Sequence, residues 1–330
     1  MAHVSVVSVF YNRSKWVQET AESLQNQTYD DYEILLVDDG STDDTLEQLK
    51  QYEDHRTRVI TAPNQGFVNA INNAIDQANG DYIAIHGSGD TALPDRLRLQ
   101  SQLLDTRPDV GVVGCRSEIV TLQSSRPPFV SEDSFDGEAQ EHLLKHNPFH
   151  HGEVMFRRDL FYKVGKYRPF FVCAQDRDLW CRLSHLTRFV VLEDVLYRKY
   201  AKMPGSVSAD PHRLLLQRYL SDFAVFCHRE RLAGRPDPLD RYGQQGALTK
   251  PPSRELSKSL FLFGSRFAAD GHLDNARTFY RHAYQESGYL PARVLLFVSE
   301  YIPRALLWAS TAYRRLIRLM QKRTAADTKH

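Results

Sequence analysis

Short apolar runs alternate with amphipathic segments along the first third of the chain. Short, mostly apolar runs predict buried strands, and they cover residues 4–10, 33–37, 58–61 and 82–85. Between these runs, apolar positions recur at helical spacing, over residues 15–25, 43–52 and 65–78. Strands that alternate with helices in this way predict an α/β fold with a mostly parallel, doubly wound sheet of the Rossmann-like kind.

The pattern becomes less regular after Pro108. Further strands are predicted at residues 110–120, 153–156 and 188–193, with a polar loop at 124–136 and a loop that opens into a helix at 171–186. The chain turns helical near Pro211, and a Gly/Pro-rich linker follows at 233–252. We therefore expect a main domain at 1–212, a helix and linker at 213–256, and a helical region at 257–330.

Residues 257–288 predict two helices with the spacing of one tetratricopeptide repeat. The matching positions are Phe263, Gly264, Phe267, Gly271, Ala276, Tyr280 and Ala283. Small side chains at three of these positions favour close packing of the two helices. No second copy follows 34 residues later, so a single helical hairpin is expected rather than a solenoid.

The final segment, residues 304–323, is amphipathic and basic. Its apolar positions are Leu306, Leu307, Ala309, Ala312, Tyr313, Leu316, Leu319 and Met320. Arg314, Arg315, Arg318, Lys322 and Arg323 make its other side basic. Such a helix fits the surface of an anionic membrane, and it also fits packing against the rest of the protein with solvated arginines. Both interpretations remain open.

Composition excludes several classes of protein. Lys and Arg number 42 against 41 Asp and Glu, which argues against a nucleic-acid-binding protein. The four cysteines lack metal-site spacing and are expected to be buried free thiols. The sequence has neither a signal-peptide layout nor an apolar run of about 18 residues. We expect a cytoplasmic protein, and the membrane-surface interpretation of residues 304–323 would add peripheral contact at the inner face of the membrane.

Polar clusters follow three of the predicted strands. They are Tyr11 with Asn12, Asp38 with Asp39, and the segment 86–90. Ligands of doubly wound sheets collect at the carboxyl ends of the strands, so these clusters predict a binding crevice. A dinucleotide site or a kinase is a poor fit, because no Gly-x-Gly-x-x-Gly motif or phosphate loop follows the first strand.

Several segments together resemble the family 2 glycosyltransferases, enzymes with the GT-A nucleotide-sugar-binding fold. They occur in the family's order over residues 1–210: VSVVSVFYNRSKW, EILLVDDGSTDDT, NQGFVNAINNAIDQANGDYIAI, ALPDRL, HHGEVMFRRDLFYKVGKYR, AQDRDLWCRL and LYRKYAKMPGSVS. The resemblance implies an inverting transferase. Its donor would be a UDP- or dTDP-linked sugar, and its acceptor a hydroxyl of a surface polysaccharide or lipid-linked glycan.

The resemblance also implies a set of donor-binding residues. At the position of Asp39 the family reads the pyrimidine base, and a carboxylate there can accept the imide N–H. Asp38 is better explained as a turn residue that bonds the backbone near Ser41. The start of the third helix offers free N–H groups to an anion, although Asn64 also fits a plain helix cap. The other nucleotide-sugar candidates are Ser8, Phe10, Tyr11, Gly66, Ser88 and Asp90.

Inverting transfer needs a carboxylate base, and the resemblance assigns that role to Asp176. Gln175 stands where the family usually has a glutamate, and a helix N-cap is the alternative role of Asp176. Asp178 and Arg182, four residues apart, predict an ion pair along one helix. His151 and Trp180 are candidates for the acceptor side, with core packing as the alternative for Trp180.

The chain departs from the family at its metal site. Gly87-Ser88-Gly89 occupies the place of the usual Asp-x-Asp, and Met203 the place of a frequent histidine ligand. A thioether is a poor ligand for Mg²⁺ or Mn²⁺, which prefer oxygen. Loss of the usual ligands weakens the case for bound Mg²⁺ or Mn²⁺ without excluding it, and Asp90 is the one remaining candidate for a metal ligand at this turn.

Three interpretations of this departure remain open. In the first, protein cations replace the metal; the candidates are Lys202, Arg198, Lys199 and His86, with Lys202 foremost because it adjoins Met203. In the second, Asp90 alone holds a weakly bound Mg²⁺ or Mn²⁺ ion. In the third, the protein is a non-catalytic module that binds nucleotide sugars or glycans. Retention of Asp39 and Asp176 favours the first two.

Overall fold

The computed structural model describes residues 2–122, 127–132 and 134–303. Among these residues, ten strands form one mixed sheet in the order β3-β2-β1-β4-β9-β6-β10-β5, with β7 beside β6 and β8 beside β10. The strands are β1 Val4–Phe10, β2 Tyr32–Asp38, β3 Thr57–Thr61, β4 Tyr82–Gly87, β5 Thr91–Ala92, β6 Val110–Thr121, β7 Phe129–Val130, β8 Phe135–Gly137, β9 Met155–Arg157 and β10 Arg188–Ala201.

Helices alternate with the strands in the first part of the chain, and the described residues after 210 are mainly helical. The helices are α1 Val17–Gln25, α2 Thr45–Lys50, α3 Phe67–Asp76, α4 Arg96–Thr106, α5 Gln140–Leu143, α6 Arg158–Lys163, α7 Gln175–Leu183, α8 Pro211–Leu232, α9 Pro238–Tyr242, α10 Arg254–Ala269, α11 Leu273–Ser287 and α12 Leu290–Tyr301. Short 3₁₀ turns lie at Ser14–Trp16, His151–Glu153, Val207–Ala209 and Gly243–Thr249.

The long strands confirm the predicted fold class. β1 pairs in parallel with β2 and β4, β2 with β3, and β6 with β10, while β9 runs antiparallel between β4 and β6. Every residue of β1 is buried. Val7 belongs to one core cluster and Val6 to the cluster on the other face, as expected for a strand covered by helices on both faces.

β10 is longer than the sequence predicted. Its apolar pattern is interrupted by Glu193 and Asp194, which led the prediction to end at residue 193. In the structure, the ladder with β6 shifts register between Leu192 and Tyr197 and then continues to Ala201. The irregularity lets the polar pair pass without ending the strand, and it extends β10 toward the turn after β4.

The described residues divide into two compact units. One contains the chain up to Ala209 together with Ala224–Gln244, and the other contains Asp210–Phe223 and the chain from Gln245 onward. In the second unit, α10 and α11 confirm the two helices predicted at 257–288. A β-carbon added at Gly264 would lie 2.8 Å from the Tyr280 ring, so the small residue does permit close packing.

The remaining predictions about the C-terminal part have separate outcomes. The amphipathic segment 304–323 lies outside the described residues. Within the part of the chain that the structure describes, no helix is long and apolar enough to cross a membrane. The four cysteines, Cys115, Cys173, Cys181 and Cys227, are free and buried, which confirms their predicted role as core thiols.

Candidate functional site

Asp39 lies directly after β2 and is almost fully buried. Its carboxylate accepts hydrogen bonds from the backbone N–H groups of Gln65 and Gly66, at 3.0 and 3.1 Å. The side chain of Asn64 donates to the Asp39 carbonyl oxygen at 3.0 Å. A side chain at Gly40 would lie 2.5 Å from the Asn64 nitrogen, so glycine is required for this approach. Asp39 thus fixes the entry to α3.

The loop after β1 is fixed to the turn after β2. Asn12 has a positive φ of 52°, and its side-chain oxygen accepts a hydrogen bond of 2.8 Å from the Thr42 N–H. The Ser41 N–H donates to Asp38 at 3.2 Å, which is the turn role predicted for that carboxylate. The polar clusters after these two parallel strands therefore meet, as the sequence indicated.

The side chains predicted to line the donor pocket from β1 differ in accessibility. Tyr11 is 48% exposed, whereas Ser8 and Phe10 are 0% exposed. Phe10 packs within the core cluster on the face of α1 and α4. Of these three candidates, only Tyr11 presents its side chain to solvent, because Ser8 and Phe10 lie within β1, which is buried on both faces, and Tyr11 follows the strand.

The prediction that His86 supplies a cation is wrong. Its ring is buried, and Arg96 donates to its Nδ1 atom at 3.1 Å, so the proton lies on Nε2, which donates to the Asp90 carbonyl at 3.1 Å. Burial and, to a smaller extent, the charge of Arg96 together lower the pKa of His86 to about 3. His86 is a neutral structural residue beneath the turn.

Asp90 is engaged by β10. Its Oδ2 atom accepts from the Tyr197 hydroxyl at 2.8 Å, and its Oδ1 atom accepts from the Tyr200 N–H at 2.9 Å. Burial raises the pKa of Asp90 above its usual value, and these hydrogen bonds and the charges of Lys199 and Arg13 offset only part of the rise. Both oxygens of Asp90, the one carboxylate left at this turn, are therefore engaged in hydrogen bonds to β10.

The space of the missing carboxylates is filled. A β-carbon added at Gly87 would lie 2.5 Å from Asp90 Oδ2 and 3.1 Å from the Tyr197 hydroxyl. At Gly89, where φ is 105°, it would lie 2.8 and 2.9 Å from the Cε and Sδ atoms of Met203. The two glycines thus pack against Asp90, Tyr197 and Met203, and a side chain at either position would have to displace one of these neighbours.

The residues at this turn do not fit a divalent cation. Mg²⁺ and Mn²⁺ take oxygen ligands, and here a thioether and two glycines stand in their place. No group of three His, Cys, Asp or Glu side chains able to hold a metal ion occurs among residues 2–122, 127–132 and 134–303. Asp90 alone, with both oxygens bonded, does not make a site, so the metal-ligand prediction for it is not supported.

The three other predicted cations have different surroundings. Arg198 pairs with Glu118 across the β10–β6 ladder at 2.5 Å. Lys202 is exposed and has a positive φ of 61°. Lys199 is partly buried, and its ammonium donates to His150 Nδ1 at 3.1 Å. Burial and the charge of Lys199 hold the pKa of His150 at about 3, so that imidazole is neutral.

Asp176 lies in the first turn of α7 and is partly exposed. The residue at the N-cap position is Ala174, so the capping alternative for Asp176 is wrong. The Asn147 side chain donates to Asp176 Oδ2 at 3.3 Å. His151 shares a hydrogen bond of 2.8 Å with Tyr167, and burial lowers its pKa although the Asp176 charge raises it. A carboxylate, an amide and a neutral imidazole are thereby gathered at the start of α7.

The helix behind Asp176 is held by buried charges. Asp178 and Arg182 form the predicted ion pair at 2.7 Å, and Arg168 pairs with the same carboxylate. Trp180 is 0% exposed and packs against Phe149 with ring centroids 5.8 Å apart. Its prediction as an acceptor-side residue is therefore wrong, because the indole belongs to the core that supports α7.

Two residues of this region were missed by the sequence analysis. Asn147 contacts Asp176 from a loop 29 residues earlier in the chain. Arg13, in the loop after β1, donates to the carbonyl oxygen of Pro204, 191 residues later. Neither residue stands out in the hydrophobic pattern. The one sequence signal for Arg13 was its place directly after Asn12 in the loop that follows β1.

A separate surface cleft lies at the opposite edge of the sheet. It is lined by Asp81, Tyr82, Arg157, Arg158, Asp159 and Tyr162. These residues surround the amino end of β4, where Tyr82 pairs with Arg157 of β9. The cleft is thus remote from the strand ends that carry Asp39 and the Gly87 turn, and the doubly wound topology favours those strand ends as the ligand site.

Sequence comparisons place this chain among known glycosyltransferases. The model of glycosyl transferase family 2 matches residues 5–165. The putative glycosyltransferase EpsE of Bacillus subtilis (strain 168) is 31% identical over 206 residues, which cover 59% of this chain and 72% of EpsE.

Two solved structures share the fold at low sequence identity. S. aureus TarS 1-349 in complex with UDP-GlcNAc has a TM-score of 0.56 and 17% identity, with 91% of this chain and 92% of that chain covered. A longer TarS chain is covered over 53% of its length. Mannosyltransferase PcManGT from Pyrobaculum calidifontis, in complex with GDP-Man and Mn²⁺, has a TM-score of 0.54 and 22% identity, with 94% and 86% covered. The chain has the GT-A fold and belongs to glycosyl transferase family 2.

Proposed function

We propose that this enzyme is an inverting glycosyltransferase that uses a UDP- or dTDP-linked sugar and works without a divalent cation. In the proposed reaction, the oxygen of an acceptor hydroxyl attacks the anomeric carbon, and Asp176 accepts the proton of that hydroxyl. The bond from that carbon to the nucleoside diphosphate breaks, and the diphosphate leaves with the bonding electrons. Protein cations stabilise the negative charge that develops on it.

The observation that carries the proposal is the surroundings of Asp176. A partly exposed carboxylate is held by Asn147 beside a neutral His151, on a helix anchored by the Asp178–Arg182 pair. Rigid support of this kind is what a general base needs. His151 contributes on the acceptor side, where a neutral imidazole can exchange a hydrogen bond with a sugar hydroxyl.

On the donor side, Asp39 remains the proposed reader of the base. Each carboxylate oxygen has about two acceptor positions, so its bonds to Gln65 and Gly66 leave capacity for an imide N–H. Tyr11 and Asn64 are proposed to contact the nucleoside, and Ser88 the diphosphate. The TarS structure with UDP-GlcNAc supports a pyrimidine-nucleotide sugar on this fold, whereas PcManGT was solved with GDP-Man.

Lys199 is the proposed cation at the diphosphate. Its partner is a neutral imidazole, so its charge is not cancelled by a carboxylate in direct contact. Arg198, by contrast, is paired with Glu118. Lys202, exposed beside Met203, would add a second charge.

The acceptor side of the proposal follows the family. We propose a hydroxyl of a surface polysaccharide or a lipid-linked glycan as acceptor, and contact of residues 304–323 with the membrane that carries it. Six cations and no acidic side chain occur between residues 304 and 323 of the sequence. Such a segment is attracted to anionic lipid. Sedimentation with anionic vesicles, before and after removal of residues 304–330, tests this part.

Asn147→Ala is expected to lower kcat about 10-fold with a change in KM of less than about twofold. The amide fixes Asp176, and its loss frees the carboxylate to rotate away from the acceptor hydroxyl. The steady-state rate of sugar transfer at saturating donor measures this effect. Asn73→Ala, on the exposed side of α3, serves as the matched control, and an unchanged kcat for Asn147→Ala would exclude the positioning role.

A thermal-shift screen of nucleotide sugars tests the donor. A ligand that binds only the folded state raises the melting temperature. UDP- and dTDP-sugars are expected to do so equally in excess EDTA and in Mn²⁺, and purine-nucleotide sugars are expected to have little effect. Stabilisation by GDP-sugars alone would contradict the assignment of the base, and stabilisation only in Mn²⁺ would contradict the cation-independent site.

A further inference from the structure

The loop after β1 brings a cation to the turn where the metal site has been replaced. The Arg13 N–H donates to the Thr45 hydroxyl at 2.8 Å, and the Arg13 carbonyl accepts from Trp16 at 2.8 Å. A β-carbon at Gly89 would lie 3.4 Å from the Trp16 β-carbon. The backbone of Arg13 therefore begins a tight turn that lies against Gly89.

The guanidinium of Arg13 reaches the late loop that contains Met203. It donates to the Pro204 carbonyl oxygen. A β-carbon at Gly205 would lie 3.7 Å from both terminal nitrogens of the guanidinium, so the absence of a side chain there leaves space beside the charge. Arg13 thus connects the β1 loop to the segment that ends with Met203 and Gly205.

The charge of Arg13 acts on Asp90, in the turn after β4. Desolvation raises the pKa of Asp90, and the charges of Lys199 and Arg13 lower it, as does the charge of the buried Arg96. Lys199 approaches from β10, and Arg13 approaches from the loop after β1. Their combined formal charge equals that of one divalent cation, and both charges act on the place from which Asp-x-Asp is missing.

We propose that Arg13 binds the diphosphate of the donor and, together with Lys199, takes the part that a divalent cation has in related enzymes. A guanidinium presents paired N–H groups that match two phosphate oxygens, and it stays charged at every working pH. The Pro204 contact orients the guanidinium between the two loops. This inference rests on the proposed nucleotide-sugar function and names one further residue of the donor site.

The test compares UDP with UMP, which lacks the second phosphate. Calorimetric titrations in excess EDTA give both affinities for the wild type, Arg13→Gln, Arg13→Lys and the control Arg58→Gln, in which an exposed arginine at the start of β3 is changed. Arg13→Gln is expected to weaken the binding of UDP at least about 10-fold and the binding of UMP less than about threefold. Arg13→Lys is expected to fall between, and Arg58→Gln to match the wild type.

The outcomes separate this inference from the proposed function. UDP binding by Arg13→Gln within threefold of the wild type would overturn the role of Arg13 and leave the donor assignment intact. Equal losses of UDP and UMP would show that Arg13 holds the loops and does not contact the diphosphate. Failure of the wild type to bind UDP would overturn both. If Arg13→Gln does not fold, Arg13→Lys takes its place. A smaller ratio of UDP to UMP affinity than in the wild type would then support the role of Arg13, and an unchanged ratio would overturn it.

Discussion

Asp176→Asn is expected to lower kcat about 10³-fold while UDP affinity stays within about threefold of the wild type. The amide is nearly the same size as the carboxylate but cannot accept the proton of the acceptor hydroxyl. Asn147 can still hydrogen-bond to its oxygen, so the fold at the start of α7 should be preserved. Transfer rates at saturating donor, together with UDP titration, measure both parts of the expectation.

A matched variant separates the loss of the base from the loss of any helix-terminal charge. Asp159 occupies the first turn of α6 and is exposed, with an ion pair to Lys163 at 2.7 Å. Asp159→Asn should leave kcat unchanged. If Asp176→Asn keeps more than a tenth of the wild-type rate, Asp176 is not the base, and the proposed mechanism fails at its first step.

Gly87→Ala is expected to lower the free energy of unfolding by about 2 kcal/mol. The added methyl group would lie 2.5 Å from Asp90 Oδ2, a buried atom whose position is fixed by the Tyr197 hydroxyl. The carboxylate cannot retreat without losing that hydrogen bond. Chemical denaturation, with the wild type and variant compared at the same pH, measures the change.

Gly137→Ala is the control for this steric argument. Among the described residues, a β-carbon there would have Phe135 Cζ as its one neighbour within 4 Å, at 3.9 Å, and Gly137 is not among the glycines with positive φ. Its unfolding free energy should stay within about 0.5 kcal/mol of the wild type.

The double variant Gly87→Asp with Gly89→Asp should be less stable than Gly87→Ala. Mn²⁺ should not raise its melting temperature, because Met203 and Asp90 fill the metal's place. Equal stability of Gly87→Ala and the wild type would show that the turn is not packed as described.

The sequence predicted the doubly wound architecture because its strands are short, mostly apolar runs between amphipathic helices. Both bounds of β1 were predicted correctly, since all seven of its residues are buried. The second half of β10 was missed, because a polar pair within an irregular ladder resembles the end of a strand. That half carries Tyr197 and Lys199, so the error concealed the main contacts of the Gly87 turn.

For the site, the sequence predicted which loops meet but not which side chains remain accessible. Parallel strands bring their carboxyl ends to one edge, so the proximity of Asn12 and Thr42 followed from topology. His86 was expected to be a cation because it adjoins the turn, and only the structure reveals Arg96 beside its ring. The contact of Arg13 with Pro204 joins positions 191 residues apart and had no local signal.

The central claim is that this glycosyltransferase replaced its metal with packed side chains and protein cations. The most direct test is the rate of sugar transfer from the donor found in the screen, measured in excess EDTA and again with saturating Mn²⁺. The filled turn at Gly87, Gly89 and Met203 predicts the same rate, within about twofold, under both conditions. A rate that disappears in EDTA and returns with Mn²⁺ would contradict the claim.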